Sequence, residues 1–351
     1  MNEINFSLDS PRKLFVTGAT GFIGSALIQK LLAAGHAVTG LSRKKPTFPL
    51  GFTGTAESLW EHPNFTWVEG DIQSLKSLKS AMQGAEGVFH LAGYAKNYSP
   101  DKSIYTKINV DGMRNVFIAA KEQGVKKIVW TSSIVTFGPT APGVTGDENM
   151  PRITDSYYTE YEQSKSIAEK EALQWASDGL PLTIVNPARV YGPGLLSEGN
   201  AMAALINDIA HGRFPFLPNF GVNIGNYVLV DDVAQGQILA MERGGMGERY
   251  ILGSENASLE EVVKLVEKIT GKKHFKIKLL KFGPMLVARV LLLGAKWFGI
   301  YPRITPGWVA TFVDDWKYSV EKARKELGYN PVGMEEGFRR TCVWLKEIDA
   351  K

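Results

Sequence analysis

The sequence has very little of several features that would point to particular classes of protein. It contains a single cysteine, Cys342, so the chain cannot form an internal disulfide or a cysteine-based metal site. Its five histidines are scattered and lack ligand spacing with acidic residues, so we expect no metal site. The near absence of cysteine also favours a reducing compartment, and we expect a cytoplasmic location. Hydrophobic residues at 44% and charged residues at 22% exclude extended disorder.

The sequence also has only a small excess of charge of one sign. Lys and Arg total 40 against 36 Asp and Glu, and the longest block of like charge is the three residues from Arg43 to Lys45. Nucleic-acid binders concentrate basic residues on one face or stripe. We therefore interpret the small excess of positive charge as spread thinly over the chain, and we expect no nucleic-acid partner.

No apolar run is long enough to cross a membrane. The richest stretch, 282–301, is interrupted by Arg289 and Lys296, and its longest uncharged runs are seven and six residues. A spanning helix needs about 20 apolar residues, so we expect no transmembrane segment. We expect 282–301 to belong to the core of the domain, and the alternative is an amphipathic helix in peripheral contact with a membrane.

Apolar runs with strand character alternate with helical patterns over roughly the first half of the chain. The strand-like runs lie at 13–17, 36–41, 65–68, 87–91, 127–131 and 182–186. The helical patterns lie at 21–34, 75–82, 104–123 and 161–177. Such alternation predicts an α/β fold with a doubly wound parallel sheet, covered by helices on both faces.

A glycine-rich segment follows the first strand and opens the first helix. Residues 17–24 read TGATGFIG, which places Gly18, Gly21 and Gly24 in a G-x-x-G-x-x-G spacing. Glycines let the chain turn tightly and let the backbone approach a pyrophosphate at the N-terminus of a helix. In this position the motif predicts a dinucleotide site, and a glycine turn without a ligand is the alternative.

The chain thus divides into two predicted parts. We predict a dinucleotide-binding Rossmann domain over 1–191, with a returning segment at about 226–252. Glycines and prolines loosen the pattern after residue 192. Most of 192–351 is expected to form a smaller α+β lobe that binds the substrate.

The residues after the second strand indicate which dinucleotide binds. Arg43 lies nineteen residues after Gly24 and is followed by Lys44, with no carboxylate beside them. An acidic residue at this distance bonds the ribose 2′-hydroxyl of NAD, whereas a basic one pairs with the 2′-phosphate of NADP. The pattern favours NADP over NAD, and a solvated basic turn is the alternative.

Two further groups of residues predict acid–base chemistry. Tyr161 and Lys165 lie one helical turn apart on the same face. A free tyrosine titrates near ~10, and a neighbouring ammonium favours the phenolate, so we expect Lys165 to lower the pKa of Tyr161. Ser132 and Ser133 follow the strand 127–131, at the sheet edge where ligands bind, and a hydroxyl there can hold a substrate oxygen.

Together these motifs resemble those of the extended short-chain dehydrogenase/reductases over nearly the whole chain. The resemblance implies that Ser133 (with Ser132 a close second), Tyr161 and Lys165 are catalytic. It also implies a homodimer through the helices at 104–123 and 161–177, with a monomer as the alternative. The positions that match the family's cofactor contacts are Gly18, Thr20, Gly21, Phe22, Ile23, Gly24, Arg43, Lys44, Asp71, Ile72, Leu91, Ala92, Gly93, Asn109, Thr131, Tyr161, Lys165, Pro187 and Val190.

Departures from the family's patterns narrow the expected substrate. Dehydratases of this superfamily carry an Asp-Glu pair just after the catalytic hydroxyl, where this chain has Ser133 and Ile134. Many nucleotide-sugar epimerases carry an Arg at the place of Gly225, although Arg213 or Arg303 could replace its phosphate contact. What remains resembles the dihydroflavonol-reductase and 3β-hydroxysteroid-dehydrogenase branch.

Aromatic residues are dense late in the chain, at Trp297, Phe298, Tyr301 and Trp308. They either line a pocket for a flat, apolar substrate or form the core of the smaller lobe. We therefore predict an NADP-dependent oxidoreductase that moves a hydride between the nicotinamide and a carbonyl or secondary alcohol of a small, apolar molecule. The alternatives are a sugar or nucleotide-sugar epimerase that retains NAD, and a cofactor-sensing protein without catalysis.

Overall fold

The computed structural model describes residues 6–45, 59–298, 301–302 and 304–349. Within these residues the strands are β1 (Lys13–Thr17), β2 (Ala37–Ser42), β3 (Phe65–Glu69), β4 (Gly87–His90), β5 (Lys127–Thr131), β6 (Leu182–Pro187), β7 (Arg189–Tyr191), β8 (Phe216–Pro218), β9 (Ile224–Leu229), β10 (Arg249–Leu252), β11 (Glu255–Ser258) and β12 (Ile277–Leu279). The α-helices are α1 (Phe22–Ala33), α2 (Leu75–Ala81), α3 (Ser103–Thr106), α4 (Gly112–Glu122), α5 (Glu160–Ser177), α6 (Ala201–Ala210), α7 (Val230–Arg243), α8 (Leu259–Thr270), α9 (Phe282–Phe298), α10 (Pro306–Val313) and α11 (Met334–Asp349).

The predicted doubly wound parallel sheet is confirmed. In the described part of the chain, seven strands pair in the order β10-β6-β5-β4-β1-β2-β3, and every pair is parallel. Since β1 lies between β2 and β4, the order of strands reverses there. The connections that follow β1 and β4 lead to helices on opposite faces of the sheet, and they leave a crevice at the carboxyl ends of these strands in which ligands bind in folds of this kind.

Helices cover both faces of the sheet and bury it. α1 and α7 pack on one face, while α2, α4 and α5 pack on the other. Every residue of β4 and β5 is buried, which explains why these strands are continuous apolar runs rather than alternating patterns. The predicted helix at 104–123 is helical from Ser103 to Glu122, but it contains a π turn over Lys107–Asp111.

The later part of the chain builds a lobe beside the carboxyl edge of the large sheet. β7, β9 and β11 form a three-stranded sheet, and β8 pairs with β12. Of the predicted returning segment, β10 joins the large sheet, whereas β9 belongs to the smaller one. The division near residue 191 stays a prediction.

The expectation that 282–301 forms core is wrong. α9 buries Ala288 and Ala295, and it packs on α10 through Ala288. The opposite side of the helix has no cover from the described residues. The large apolar side chains of α9 that are exposed are Phe282, Leu286, Val287, Val290, Leu291, Leu293 and Trp297. No helix in the described ranges is long and apolar enough to cross a membrane.

One lysine lies where sequence reasoning places only apolar side chains. Lys127, at the start of β5, is fully buried, and its ammonium donates to the carbonyl of Gly244. Burial lowers the pKa of Lys127 from 10.5 to about 8. The folded chain therefore loses this proton at a lower pH than the unfolded chain does, so the stability of the fold rises with pH between those two values.

We expect Lys127→Met to be more stable than the parent at pH 7, by roughly 1–3 kcal/mol, because a buried charge is removed. The advantage should shrink as the pH rises from 8 to 10.5, where the parent's lysine becomes neutral in the fold. Urea unfolding at a series of pH values measures this. Lys126→Met, at an exposed neighbour, is the control, and a pH-independent difference for Lys127→Met would contradict the assignment.

Candidate active site

A cleft of about 600 Å³ opens at the carboxyl ends of β1 and β2 and beside the residues after β4. The glycine-rich segment forms one wall, and its shape requires glycine. Gly18 has a φ of +71°, and a Cβ on it would lie 2.7 Å from the backbone nitrogen of Ala92. A Cβ on Gly24 would lie 2.1 Å from the carbonyl oxygen of Gly18. Any side chain at either position would separate β1, α1 and the loop after β4.

Side chains at the ends of β1 and β4 hold the same region from behind. The hydroxyl of Thr17 lies 2.7 Å from Nδ1 of His90, and it accepts a hydrogen bond from the backbone nitrogen of Ala92 at 3.1 Å. Burial lowers the pKa of His90 to about 3, so its ring is neutral at physiological pH. The carboxyl ends of the two strands and the loop after β4 are therefore fixed relative to each other without a buried charge.

The amino end of α1 faces this cleft. Gly21 is its N-cap and supplies no side-chain cap, and the first turn holds no acidic residue. The first backbone N–H groups of a helix have no partner within it, and the helix dipole is positive there. The residues of this turn line the cleft, so the site suits a pyrophosphate.

Most positions predicted to bind a cofactor lie together around the cleft. Those that line it are Gly18, Thr20, Gly21, Phe22, Ile23, Gly24, Arg43, Asp71, Ile72, Leu91, Ala92, Gly93 and Thr131. Lys44 is exposed and does not line the cleft, and its carbonyl accepts from the Ser42 hydroxyl. Pro187 and Val190 line the adjoining cavity instead.

Arg43 stands beyond the end of β2, at the edge of the cleft. Its side chain is exposed and makes no hydrogen bond or ion pair with any residue in the described ranges. The end of β2 is held by the indole of Trp67, which donates to the hydroxyl of Ser42 at 2.9 Å. The guanidinium of Arg43 is therefore available to an anionic ligand from a fixed strand end.

Ser133, Tyr161 and Lys165 meet in a second cavity of about 300 Å³ that adjoins the cleft. α5 begins at Glu160 because the hydroxyl of Thr159 accepts from the backbone nitrogen of Glu162 at 3.1 Å. Tyr161 consequently stands in the first turn of α5, and Lys165 lies one turn further on.

The two serines after β5 differ in what they contact. Ser133 forms a hydrogen bond with Tyr161. The hydroxyl of Ser132 donates instead to the buried carboxylate of Glu169 at 2.5 Å. Glu169 also accepts from Asn186 at 2.7 Å and from Arg249 at 3.2 Å. Of the two serines, Ser133 therefore presents its hydroxyl to the tyrosine, and Ser132 is engaged by this polar network.

The pKa of Tyr161 does not shift as the sequence predicts. Burial raises the pKa of Tyr161, and the hydrogen bond with Ser133 opposes that rise. Lys165 does not lower it, because its ammonium donates to the carbonyl of Thr131 at 2.8 Å and lies 5.0 Å from the ring centre of Trp130. Burial lowers the pKa of Lys165 to about 8, and the charge of Glu169 opposes this.

Asn109 lies behind the cleft, inside the π turn, and joins two elements of the site. Its Oδ1 accepts from the backbone nitrogen of Tyr94 at 2.7 Å, and its Nδ2 donates to the hydroxyl of Ser164 at 2.8 Å. A Cβ on Gly93 would lie 3.3 Å from Oδ1 of Asn109 and 3.6 Å from Nζ of Lys165. Asn109 thus fixes the loop after β4 against α5, beside Lys165.

The cavity continues past Ser133 into an apolar pocket of about 210 Å³. The aromatic and large aliphatic side chains that line it are Ile134, Val135, Val190, Met202, Leu205, Trp308, Phe312 and Trp316. Of the aromatic residues singled out in the sequence, Trp308 lines this pocket, while Trp297 is 79% exposed. Tyr301 donates to Glu198 at 2.7 Å, and the side chain of Phe298 lies outside the described residues.

Sequence reasoning missed Glu198. It lines the cleft, the cavity and the apolar pocket, and it accepts from the backbone nitrogen of Asn97 at 3.0 Å. The sequence does contain a signal for this residue. Glu198 is the one acidic residue between Asp178 and Asp208, and it lies in the loop that follows β7. An isolated acid in a glycine-rich loop at the carboxyl edge of a sheet is a candidate for a ligand contact.

Arg189 is a second residue whose place the sequence did not reveal. Its guanidinium fills the space beside Gly225, where an added Cβ would lie 2.4 Å from Nη1. Nη1 donates to the hydroxyl of Tyr227 at 3.2 Å, and Nη2 donates to the carbonyl of Thr311. The group also lies 4.4 Å from the ring centre of Phe312. Arg189 is therefore held in place by neutral groups of the protein, through one donor on each of Nη1 and Nη2.

The fold and this site define an extended short-chain dehydrogenase/reductase, an NAD(P)-dependent oxidoreductase. The profile of the NAD dependent epimerase/dehydratase family matches residues 14–253, and the chain belongs to that family. The predicted family and branch are thereby confirmed.

Several proteins with assigned names are similar over nearly the whole chain. A Synechocystis sp. protein provisionally named dihydroflavonol 4-reductase is 30% identical over 348 residues, which cover 98% of this chain and 97% of that protein. The human sterol-4-alpha-carboxylate 3-dehydrogenase, decarboxylating, is 26% identical over 353 residues, with 96% and 89% covered. The crystal structure of gox2253 superposes with a TM-score of 0.79 at 35% identity, covering 96% of this chain and 98% of that one.

We expect Gly24→Ala to weaken binding of the nicotinamide dinucleotide, tested as both NADH and NADPH, about tenfold or more, since the new Cβ would collide with the carbonyl of Gly18. Gly294→Ala is the matched control, because Gly294 is also helical and a Cβ there would meet nothing within 4 Å. Fluorescence titration measures both dissociation constants, and thermal unfolding checks that both variants fold. Equal affinity in the two variants would contradict the role given to the turn.

Proposed function

We propose that the protein uses NADP to interconvert a ketone and a secondary alcohol on a small, apolar substrate. The observation that carries this proposal is the position of Ser133 and Tyr161, between the nucleotide cleft and the apolar pocket. The names of the relatives, a dihydroflavonol reductase and a sterol dehydrogenase, support a substrate of this class.

Residues of the chain would hold the cofactor along the whole cleft. The glycine turn and the amino end of α1 fit the pyrophosphate, and Arg43 is free to pair with a 2′-phosphate. Pro187 and Val190 border the cavity beside Tyr161, where the nicotinamide end belongs. When bound, the nicotinamide supplies the hydride.

The proton is handled by Ser133 and Tyr161. The hydroxyl of Ser133 positions the substrate oxygen, and the phenol of Tyr161 gives that oxygen its proton during reduction. Because burial raises the pKa of Tyr161, the phenol is protonated at neutral pH, which is the state that reduction of a ketone requires. Lys165 lies one turn further along α5 with its ammonium fixed on Thr131, and it supplies positive charge at this end of the cleft.

The lining of the pocket supports an apolar substrate over a nucleotide sugar. Among its described lining residues Arg189 is the basic one, and its guanidinium is held by Tyr227 and Thr311 against the ring of Phe312. Arg213 pairs with Asp208 at the surface, and Arg303 lies outside the described residues. A diphosphate in this pocket would therefore meet one cation, Arg189, beside the carboxylate of Glu198 and a lining that is otherwise mostly apolar.

Assembly and location are also proposals. A homodimer would use the exposed sides of α4 and α5, where Arg114 forms a two-pronged ion pair with Glu171 at 2.6 and 2.7 Å. This ion pair joins the two helices within one chain and fixes the position of their outer faces relative to each other. The cytoplasmic location stays a prediction.

Tyr161→Phe should lower kcat with NADPH and apolar ketones about 10²–10⁴-fold, since the proton donor is removed. The dissociation constant for NADPH should change less than twofold, because the ring remains in place. Tyr157→Phe, at an exposed tyrosine, is the control. A variant that keeps most of its turnover, or that loses cofactor binding as well, would show that Tyr161 has another role.

Arg43→Asp should raise the dissociation constant for NADPH at least about tenfold relative to that for NADH, because a phosphate partner becomes a repelling carboxylate. Lys76→Asp makes the same charge change at an exposed lysine that does not line the cleft. An unchanged ratio of the two constants in Arg43→Asp would refute the assignment of the 2′-phosphate.

The nucleotide that the purified protein carries separates the oxidoreductase from the epimerase. Protein isolated without added nucleotide is denatured, and the released material is identified and counted. Freely exchanging nucleotide with a preference for NADPH is expected here. One tightly held NAD per chain would contradict the proposal and indicate an enzyme that returns the hydride to its own substrate.

A further inference from the structure

The positive charge of the chain is concentrated in one segment, contrary to the even spread expected from the totals. Residues 268–313 contain nine Lys and Arg and no Asp or Glu. The remaining 31 Lys and Arg are outnumbered by 36 Asp and Glu. The whole excess of positive charge therefore lies on the part of the chain that forms the end of α8, β12, α9, α10 and the connections between them.

Several of these cations are unpaired at the surface. Lys272, Lys273, Lys281 and Arg289 are exposed and form no ion pair with any described residue. The lysines of the segment that do pair use acidic residues of neighbouring elements. These pairs are Lys268 with Glu335, Lys276 with Glu267, and Lys278 with Glu260.

Large apolar side chains lie among these cations and point away from the protein. We call them the apolar face, which consists of Phe275, Leu280, Phe282, Leu286, Val290, Leu293 and Trp297. The last five follow one another on α9 at intervals of four, four, three and four residues, which places them on one side of the helix. Phe275 is 81% exposed and Trp297 is 79% exposed, so no described residue covers either end.

The apolar face continues onto the neighbouring strand pair. Phe216 of β8 is in register with Ile277 of β12, and both side chains are exposed. Beside β12, Asn219 and Phe220 have φ values of 44° and 59°, and Phe220 is also exposed. A bulky residue with a positive φ is strained, so this backbone holds an aromatic side chain at the surface at a cost.

We propose that this surface seats the protein on an anionic phospholipid bilayer, with α9 lying in the plane of the interface. At 1.5 Å per residue the 17 residues of α9 measure about 25 Å, long enough to lie along the interface. Phe and Trp side chains enter the boundary between headgroups and acyl chains, and the unpaired lysines meet acidic headgroups.

The charge selects this occupant over a second copy of the chain. Two such surfaces placed face to face would bring together two sets of unpaired cations with no acidic residue from 268–313 between them. Like charges at an interface oppose association, whereas an anionic bilayer neutralises them. An anionic bilayer also suits a surface with apolar side chains at its centre and cations around them, because it offers both acyl chains and acidic headgroups.

Sedimentation of the full chain with vesicles tests this proposal without any assay of activity. We expect binding to vesicles of phosphatidylcholine with phosphatidylglycerol that is at least tenfold stronger than to phosphatidylcholine alone and that weakens in high salt. Leu286→Ser/Val290→Ser should reduce binding at least tenfold. Val343→Ser, at an exposed apolar residue of α11, is its control. Both changes are at exposed positions, so the fold should be retained.

Charge reversal tests the electrostatic contribution to vesicle binding separately from the apolar contribution. Lys272→Glu/Lys281→Glu should abolish the preference for phosphatidylglycerol. Lys76→Glu/Lys325→Glu, at exposed lysines elsewhere that form no ion pair with a described residue, should leave it unchanged. Absence of binding to the mixed vesicles would overturn the proposal. So would sedimentation equilibrium that shows a dimer broken by Leu286→Ser/Val290→Ser, because a second copy would then cover the face.

Discussion

The close contact of backbone at Gly18 is the constraint on which the rest of the site depends. The turn after β1 leaves less than 3 Å between an added Cβ and the backbone after β4, and Gly24 leaves even less beside the carbonyl of Gly18. The turn between β1 and α1 and the loop after β4, which are distant in sequence, therefore meet without side chains between them. The cleft, the amino end of α1 and the approach to α5 all take their positions from this contact.

A second layer of the site depends on buried polar groups rather than on the absence of side chains. Glu169 joins β5, β6 and β10 to α5 through Ser132, Asn186 and Arg249. A buried carboxylate is tolerated only when such partners satisfy it. With Ser132 engaged there, the hydroxyl of Ser133 is the one left to face Tyr161, and the chemistry of the cavity follows from this division between adjacent serines.

Much of this arrangement could be predicted from the sequence because it is local or periodic. Buried parallel strands are continuous apolar runs, and a glycine turn between a strand and a helix carries its own geometry. The properties that were missed depend on distant parts of the chain. Lys127 donates a hydrogen bond to the carbonyl of Gly244, and Lys165 donates one to a carbonyl at the end of β5. Glu198 accepts one from the hydroxyl of Tyr301.

α9 is a second case in which the sequence could not predict the tertiary surroundings of an element. Its composition is that of a core helix, and periodicity measures which residues are apolar rather than whether another element arrives to cover them. Among the described residues, the side of α9 that carries Ala288 packs on α10, whereas the side that carries Leu286 and Val290 is exposed. An exposed apolar helix and a buried one are thus distinguished by tertiary structure alone.

α10 has different neighbours on its two sides, and this has a mechanical consequence. Trp308 and Phe312 form part of the wall of the apolar pocket, while Val309 and Val313 pack on Ala288 of α9. The four residues belong to one helix of eight residues. The pocket wall and the support of α9 are therefore two sides of one short helix, so the packing of Val309 and Val313 on Ala288 also positions the side chains that line the pocket.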